Sequence, residues 1–416
     1  MMMQIEVGQE ILASGKRFEV EKFLDCGGQG DLYRVKRCQD GRAYVLKHFH
    51  DQNASTRRRI EYLASLSLSS QCRAILAPEL AWVEGKAIGH ITPYIDGGIP
   101  LKSFCQAGSG KTLDRLFVAA ALTKAISVLS DLGMSHGDIQ SDNVLVSLSD
   151  RDLYEAYIID FDNYGHLDVP YPQFAGVLEY IAPEIARAQV GIGQALPDRR
   201  SDVFSLCVCL SYLILNVVPF SGVWKTPDAR DQALVSPSKW PNDPFANIGQ
   251  GLMRVHPEGL LDAIKAGLRF RPDARPGASE ILGEIVDTLE DLEPHSGCSG
   301  FRPSSSHTCP DCKQSLVRVY LETGNTIELE VGKTVTIGMR DCGGNPNVSQ
   351  KHLEIVERGG QFEGTPIGRN PTCILQVDGT WGDPLSPNEP VPLKVGQKWT
   401  LAGFQLRIDS VSDSMK

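Results

Sequence analysis

The sequence predicts an α+β region up to residue 293 and an all-β sandwich from 316 onward. Three observations carry this. A glycine-rich turn between β-prone runs opens the chain, long helical periodicities follow from 113, and short β-branched and aromatic runs fill the last hundred residues. At 416 residues there is room for two or three domains. A net charge of −10 offers no broad basic surface, which argues against a nucleic-acid partner.

From the N-terminus, 17–47 reads as strand, turn, strand, strand. The turn LDCGGQGDLYRV (24–35) has glycines that let backbone amides approach phosphate oxygens, and YVLKHF (44–49) places Lys47 on the strand that follows. Residues 54–69 have helix-forming content, and the cluster Arg57-Arg58-Arg59 reads as a solvated helix face. ILAPELAWVEGKAIGHITPYIDG (75–97) reads as two strands running into a hinge, and LDRLFVAAALTKAISVLSDL (113–132) has the apolar spacing of a core helix. The apolar run LCVCLSYLILNVVPF (206–220) is short for a bilayer and reads as a buried helix. The start MMMQIEVGQE lacks the apolar core of a signal peptide, so a cytoplasmic location with reduced thiols is expected, and no membrane partner.

The most informative stretch is HGDIQSDNVLV (136–146) followed by IIDFD (158–162). These residue types at this spacing suit phosphoryl transfer. Asp138 can accept the proton of an attacking hydroxyl, while Asn143 and Asp160 can hold Mg²⁺ on the phosphates of ATP. With Lys47, GVLEYIAPE (176–184), Asp202 and RPDARPGASEI (271–281), the chain resembles the bacterial eukaryotic-like Ser/Thr protein kinases over 16–293. The resemblance implies a two-lobed protein-kinase fold, with lobes 16–92 and 97–293. It implies that Gly27, Gly28 and Gly30 lie over the phosphates and that Lys47 bridges them and pairs with Glu61. Thr92 would be the gatekeeper and Ile95 an adenine contact. Asp202 would brace the catalytic-loop backbone, Arg275 would pair with Glu184, and His136 would be structural.

Several positions depart from that pattern. Gly137 replaces the Arg that receives an activation-loop phosphate, and 160–184 contains no Ser or Thr. Activity without that switch is expected. Gln140 stands where a Lys steadies the γ-phosphate, Val177 where a Thr bonds the catalytic Asp, Asp25 for the first loop glycine, and Asp162 for the Gly after Phe161. These point to attenuated activity, with an ATP-binding pseudokinase scaffold as the rival reading and a small-molecule phosphotransferase as a weaker one.

EPHSGCSGFRPSSSHTCPDCKQ (293–314) is rich in Pro, Ser and Gly, and 294–315 reads as a linker. Cys309 and Cys312, with Cys298 and either His295 or His307, could form a structural zinc knuckle. Ser304, Ser305, Ser306 and Thr308 are candidates for self-phosphorylation. In 316–416, TIGMR, NVSQKHLEI and GRNPT resemble the signature loops of forkhead-associated (FHA) domains. That resemblance implies that Arg340, Ser349 and Asn370 grip a phosphothreonine peptide and that His352 is a brace. The chain resembles the soluble Gly-for-Arg kinases that often accompany a von Willebrand A-type protein and a metal-dependent phosphatase in bacterial signalling triads, which implies these two as partners besides protein substrates.

Overall fold

The structure is a computed structural model. It describes residues 5–166, 179–221, 223, 227–235, 237–246, 258–294, 300–303, 309–311, 317–329, 334–358, 361–376, 378–394 and 396–410. The chain forms two compact units, one of Met1–Gly110, Asp114–Asn247 and Asp262–Val286, the other of Lys111–Leu113, Ile248–Leu261 and Asp287–Lys416.

The first unit opens with an antiparallel sheet of β1 (Glu10–Ala13), β2 (Lys16–Cys26), β3 (Gly30–Arg37), β4 (Ala43–Phe49), β5 (Leu80–Glu84) and β6 (Ala87–Pro93), in the order β1-β2-β3-β4-β6-β5. Alternate residues Phe18 and Val20, Tyr33 and Val35, and Tyr44 and Leu46 point inward and meet Trp82 and Ile91 in one core. The edge strand β1 lies outside the expected start at 16; it pairs Ile11 with Phe18. Strands β3 and β4 approach so closely that a Cβ at Gly30 would collide with the His48 carbonyl, which requires glycine there. Helix α1 (Ala54–Ser65) is capped by the Asn53 side chain, which accepts from the Thr56 N–H at 2.8 Å.

Downstream, helix α2 (Thr112–Asp131) buries Leu116, Ala119, Leu122, Ala125, Ile126 and Leu129, at the helical spacing read from sequence. The hairpin β7 (Val144–Leu148) and β8 (Tyr154–Ile158) pairs Val144 with Ile158. This register puts Asn143, one residue before β7, near Asp160, two residues after β8. Helices α3 (Pro183–Gln189), α4 (Arg199–Leu215) and α5 (Ala278–Glu290) follow. Asp198 and Ser201 form a reciprocal capping box at the start of α4, whose side chains are almost all buried. The expected buried helix is thus present but starts earlier and stops at Leu215, where Asn216 turns left-handed at φ 54°. Among the described residues no helix is long and apolar enough to cross a membrane. Arg275, with its side chain fully buried, forks onto both oxygens of Glu184 at 2.7 Å each.

From residue 317 the described residues of the second unit are all-β. One sheet runs β10-β9-β17-β16-β14, made of β9 (Val317–Leu321), β10 (Thr326–Glu328), β14 (Thr372–Ile374), β16 (Lys398–Leu401) and β17 (Phe404–Ser410). The other runs β11-β12-β13-β15, made of β11 (Val335–Ile337), β12 (Leu353–Arg358), β13 (Gln361–Pro366) and β15 (Val391–Pro392). Val319, Trp399 and Leu406 of the first sheet meet Ile337, Leu353 and Ile355 of the second in a shared core, which makes a sandwich. Strands β13 and β15 carry Gly364, Pro366 and Pro392, which give little strand signal in the sequence. Of the expected zinc ligands only Cys309 is described, and it is buried. Cys298, Cys312, His295 and His307 lie outside the described residues, as do Ser304, Ser305, Ser306 and Thr308.

Candidate active site

The loop between α2 and β7 is held from below by two buried groups. Asp202, near the start of α4, accepts from the backbone N–H of His136 at 2.6 Å and of Gly137 at 3.0 Å. Burial pushes this carboxyl up to about 7, while the two N–H donors pull the other way. His136 is fully buried; its Nε2 lies 2.9 Å from the Ile159 carbonyl oxygen, and its ring meets Phe161 edge-on. Burial pushes its pKa down to about 4, so it is neutral. Gly137 has φ 79°, and a Cβ there would collide with the Asn163 carbonyl. The absence of an Arg at this position is therefore a backbone requirement of this loop. Gly137→Arg is expected to destabilise the chain by about 1–3 kcal/mol through backbone strain alone. An unchanged urea midpoint would refute that reading.

The Asp138 carboxylate is ringed by amides. Asn143 Nδ2 donates to Oδ2 at 3.1 Å, Asn163 Nδ2 to the same oxygen at 3.4 Å, and Gln140 Nε2 to Oδ1 at 3.3 Å. Asn163 went unnoticed in the sequence, although it directly follows Asp162. Burial first, then the Asp160 charge, push the Asp138 carboxyl up to about 6 against these three donors. That places its ionisation close to neutral pH, as a proton acceptor requires.

Lys47 is buried on β4, opposite Leu32 and His90. Its Nζ lies 2.8 Å from Asp160 Oδ1 and also contacts Asp162 Oδ2. The expected partner is a different residue: Glu61 has a side chain 45% exposed and pairs with Arg57 at 2.8 Å, not with Lys47. The helix explains this correction. Residues 57 and 61 are four apart and share the solvent face, whereas Arg59 points to the opposite side beside Ile60 and Leu63. Arg59, expected on a solvated face with its neighbours, is buried. It donates to the carbonyls of Asp162 at 3.0 Å and Tyr164 at 2.7 Å, and lies over the Tyr164 ring, whose hydroxyl returns a bond to the Arg59 carbonyl.

Asp162, which replaces the usual glycine, thus supplies the carboxylate that Glu61 does not. Its side chain is 4% exposed and has His90 Nε2 at 3.7 Å. Burial favours its neutral form, but nearby His90 and the Lys47 charge hold it well below the usual carboxylate range. Burial also disfavours the charged form of Lys47; Asp162 and Asp160 overcome this and raise its pKa. Asp160 itself is pushed up by burial and by Asp162, and sits in the left-handed region at φ 63°. One ammonium facing two carboxylates, with Asp138 nearby, leaves surplus negative charge in the cleft. Asn143 spends its amide nitrogen on Asp138, so its carbonyl oxygen and the Asp160 carboxylate form a hard oxygen donor set that suits Mg²⁺.

In the glycine-rich turn, Gly27 N–H donates to Gly30 O at 2.9 Å, and Gly28 has open space where a side chain would be. Thr92 pairs with Val45 at the end of β6 and is half-buried, as is Ile95 beyond it. Val177 lies outside the described residues.

The protein kinase domain family matches residues 18–285. This chain belongs to the protein kinase family. Among its relatives, human ribosomal protein S6 kinase alpha-4 is 25% identical over 332 residues, covering 69% of this chain and 41% of that protein. A serine/threonine-protein kinase of Drosophila melanogaster is 22% identical over 278 residues, covering 64% of this chain and 34% of its own length. The chain therefore spans well under half the length of these curated relatives. Both are animal proteins, so they lend no support to the expected bacterial source.

In the β-sandwich of this kinase, Arg340 and Asn370 are exposed and Ser349 half-buried. Ser349 Oγ accepts from the Arg369 N–H at 3.0 Å, and Asn370 Nδ2 donates to the Asn347 carbonyl. His352 is fully buried beneath them, its Nδ1 accepting from the Ser349 N–H at 3.1 Å.

Proposed function

We propose that this kinase transfers the γ-phosphoryl group of ATP to the hydroxyl of a protein Ser or Thr. The observation that carries the reading is the connected set Asp138–Asn143 and Lys47–Asp160, in which a raised-pKa base and a cation anchor face one cleft. Asp138 takes the proton of the attacking hydroxyl. Lys47 holds the phosphates in place. Asn143 and Asp160 would hold Mg²⁺, which when bound neutralises phosphate charge. Asp162 fixes Lys47 from the residue after Phe161, and Arg59 fixes the backbone that carries Asp162. Because no helix-borne carboxylate is involved, the lysine anchor stays formed without a swing of α1. The Gly137 backbone and the absence of loop hydroxyl sites from Ser or Thr support activity free of loop phosphorylation.

The test is transfer from labelled Mg·ATP by the full chain beside Asp160→Asn, with mapping of the products. Label on Ser or Thr that the variant loses supports the reading. ATP binding without transfer, to the chain itself or to a broad protein panel, would replace it with the scaffold reading.

The sandwich supports a second role in the same chain, the capture of a phosphothreonine protein through Arg340, Ser349 and Asn370. Its basis is the adjacency of the 347–349 and 369–370 loops over buried His352. Arg340→Ala is expected to weaken a phosphothreonine peptide by roughly 10- to 100-fold, the worth of a charged hydrogen bond. Equal affinity of the wild type for the unphosphorylated peptide, by fluorescence anisotropy, would remove this role.

A further inference from the structure

Outside the cleft, a second cluster of chemistry-bearing side chains sits at the foot of the glycine-rich hairpin. Cys26 ends β2, Asp31 stands directly opposite it on β3, and His50 follows the last residue of β4. One ligand atom from each lies within 4.8 Å of the other two, and His50 Nε2 is already 3.1 Å from Asp31 Oδ1. Among the described residues this is the one group of His, Cys, Asp or Glu side chains drawn together in this way.

We propose that Cys26, Asp31 and His50 form a zinc site that clasps the base of this hairpin. The donor set is one thiolate, one imidazole and one carboxylate. That mixture suits zinc and excludes magnesium or calcium, which take oxygen donors. Zinc–ligand lengths of about 2.0–2.3 Å put tetrahedral donors roughly 3.5 Å apart, so the three atoms need only a small inward adjustment. Three protein ligands leave the fourth position to water.

The backbone already holds the donors together. Cys26 and Asp31 are register partners, Gly27 N–H bonds to Gly30 O, and His50 N–H bonds to Gln29 O at 3.0 Å. The unusually close approach of β3 and β4 at Gly30 brings His50 to the same edge. Without metal, the Cys26 thiol donates to the Gly27 carbonyl oxygen at 4.0 Å, while the Asp31 carboxylate lies against His50 and raises the pKa of the nearby thiol. Zinc replaces that thiol proton, which goes to solvent, so uptake strengthens as pH rises. Asp25, His48 and Tyr33 are the other titratable groups facing the cluster.

A metal here ties β2, β3 and the end of β4 across the turn 27–30. If that turn covers the phosphates, as the resemblance to protein kinases implies, zinc restrains it and raises the KM for ATP. The metal site itself does not depend on that reading.

The experiment titrates the full chain with Co²⁺ and follows the thiolate-to-cobalt charge-transfer band, then displaces it with Zn²⁺ and measures affinity by competition with a chromophoric chelator. One equivalent is expected to disappear in Cys26→Ser and to persist in Cys309→Ser, which separates this site from any linker knuckle. His50→Ala and Asp31→Asn are expected to weaken zinc at least about 10-fold, with unchanged thermal midpoints. Full stoichiometry and affinity in Cys26→Ser would overturn the site. In zinc-buffered assays the wild type should show a higher KM for ATP and Cys26→Ser should not. Equal KM values would overturn the clasp on the nucleotide.

Discussion

Asp162→Asn is expected to lower kcat/KM for ATP by about 10²–10³-fold, the scale on which a preorganised charge contact acts in a closed site. The Asp162 side chain acts by holding Lys47. Two features of the geometry make the effect large. The Lys47 side chain is 11% exposed and that of Asp162 4%, so little water screens the pair. Burial also works against the charge on Lys47, and Asp162 is the first of the groups that restore it. Removing one partner of a buried pair typically costs about 3–5 kcal/mol, because the other charge remains desolvated. Asp160 still contacts Lys47 and softens this loss, but it then holds the lysine away from any position governed by Asp162. The decisive comparison is a double-mutant cycle with Lys47→Met. If Asp162 works through Lys47, the two losses in kcat/KM do not add. Additive losses, or an Asp162→Asn enzyme with wild-type kinetics, would sink the positioning role. Glu61→Gln is the control: its partner is the exposed Arg57, so kinetics stay within experimental scatter of the wild type.

The contrast between Asp162 and Glu61 shows where sequence reading succeeds and where it stops. Asp138 and Asn143 are five residues apart, and a hairpin of two short β-branched strands carries the chain on to Asp160. Local spacing alone therefore brings these three groups together, and they were legible. Lys47 and Asp162 are joined only by tertiary packing between the first sheet and the segment after β8, and no periodicity announces it. A local signal did exist for Glu61. Its spacing from Arg57 favours a pair along one helix face, and Arg59 falls four residues before buried Leu63, on the inward face. Strand β13 is hard to read from the sequence for a similar reason. It contains Gly364 and ends on Pro366, both poor strand formers, yet a Cβ at Gly364 would press on the buried Trp399 ring. The glycine is set by packing between the sheets, which the linear pattern does not display.

Asp138→Asn is expected to reduce kcat by roughly 10²–10⁴-fold, the usual worth of a positioned general base. The same carboxyl sets a pH dependence in the wild type. Its pKa is raised from 3.8 to about 6 by burial and by Asp160, and the base must be ionised to act. The kcat/KM profile of the free enzyme should therefore fall as pH drops through about 6. Asn163→Ala removes one of the donors that favour the ionised form, so its profile should break at a higher pH. Stability moves the opposite way. A carboxyl whose folded pKa lies above its unfolded value binds more protons in the native state between the two. Its contribution to stability is present below about 4 and is lost as pH rises toward 6. Asn at 138 cannot titrate, so the denaturation midpoint of the variant should gain on the wild type across that window, whatever the constant offset from rearranged amides. A difference between the two proteins that stays flat from pH 4 to 6 would show that Asp138 is not the strained ionisation at this site, and the acid limb of activity would then belong to Asp160 or to the substrate.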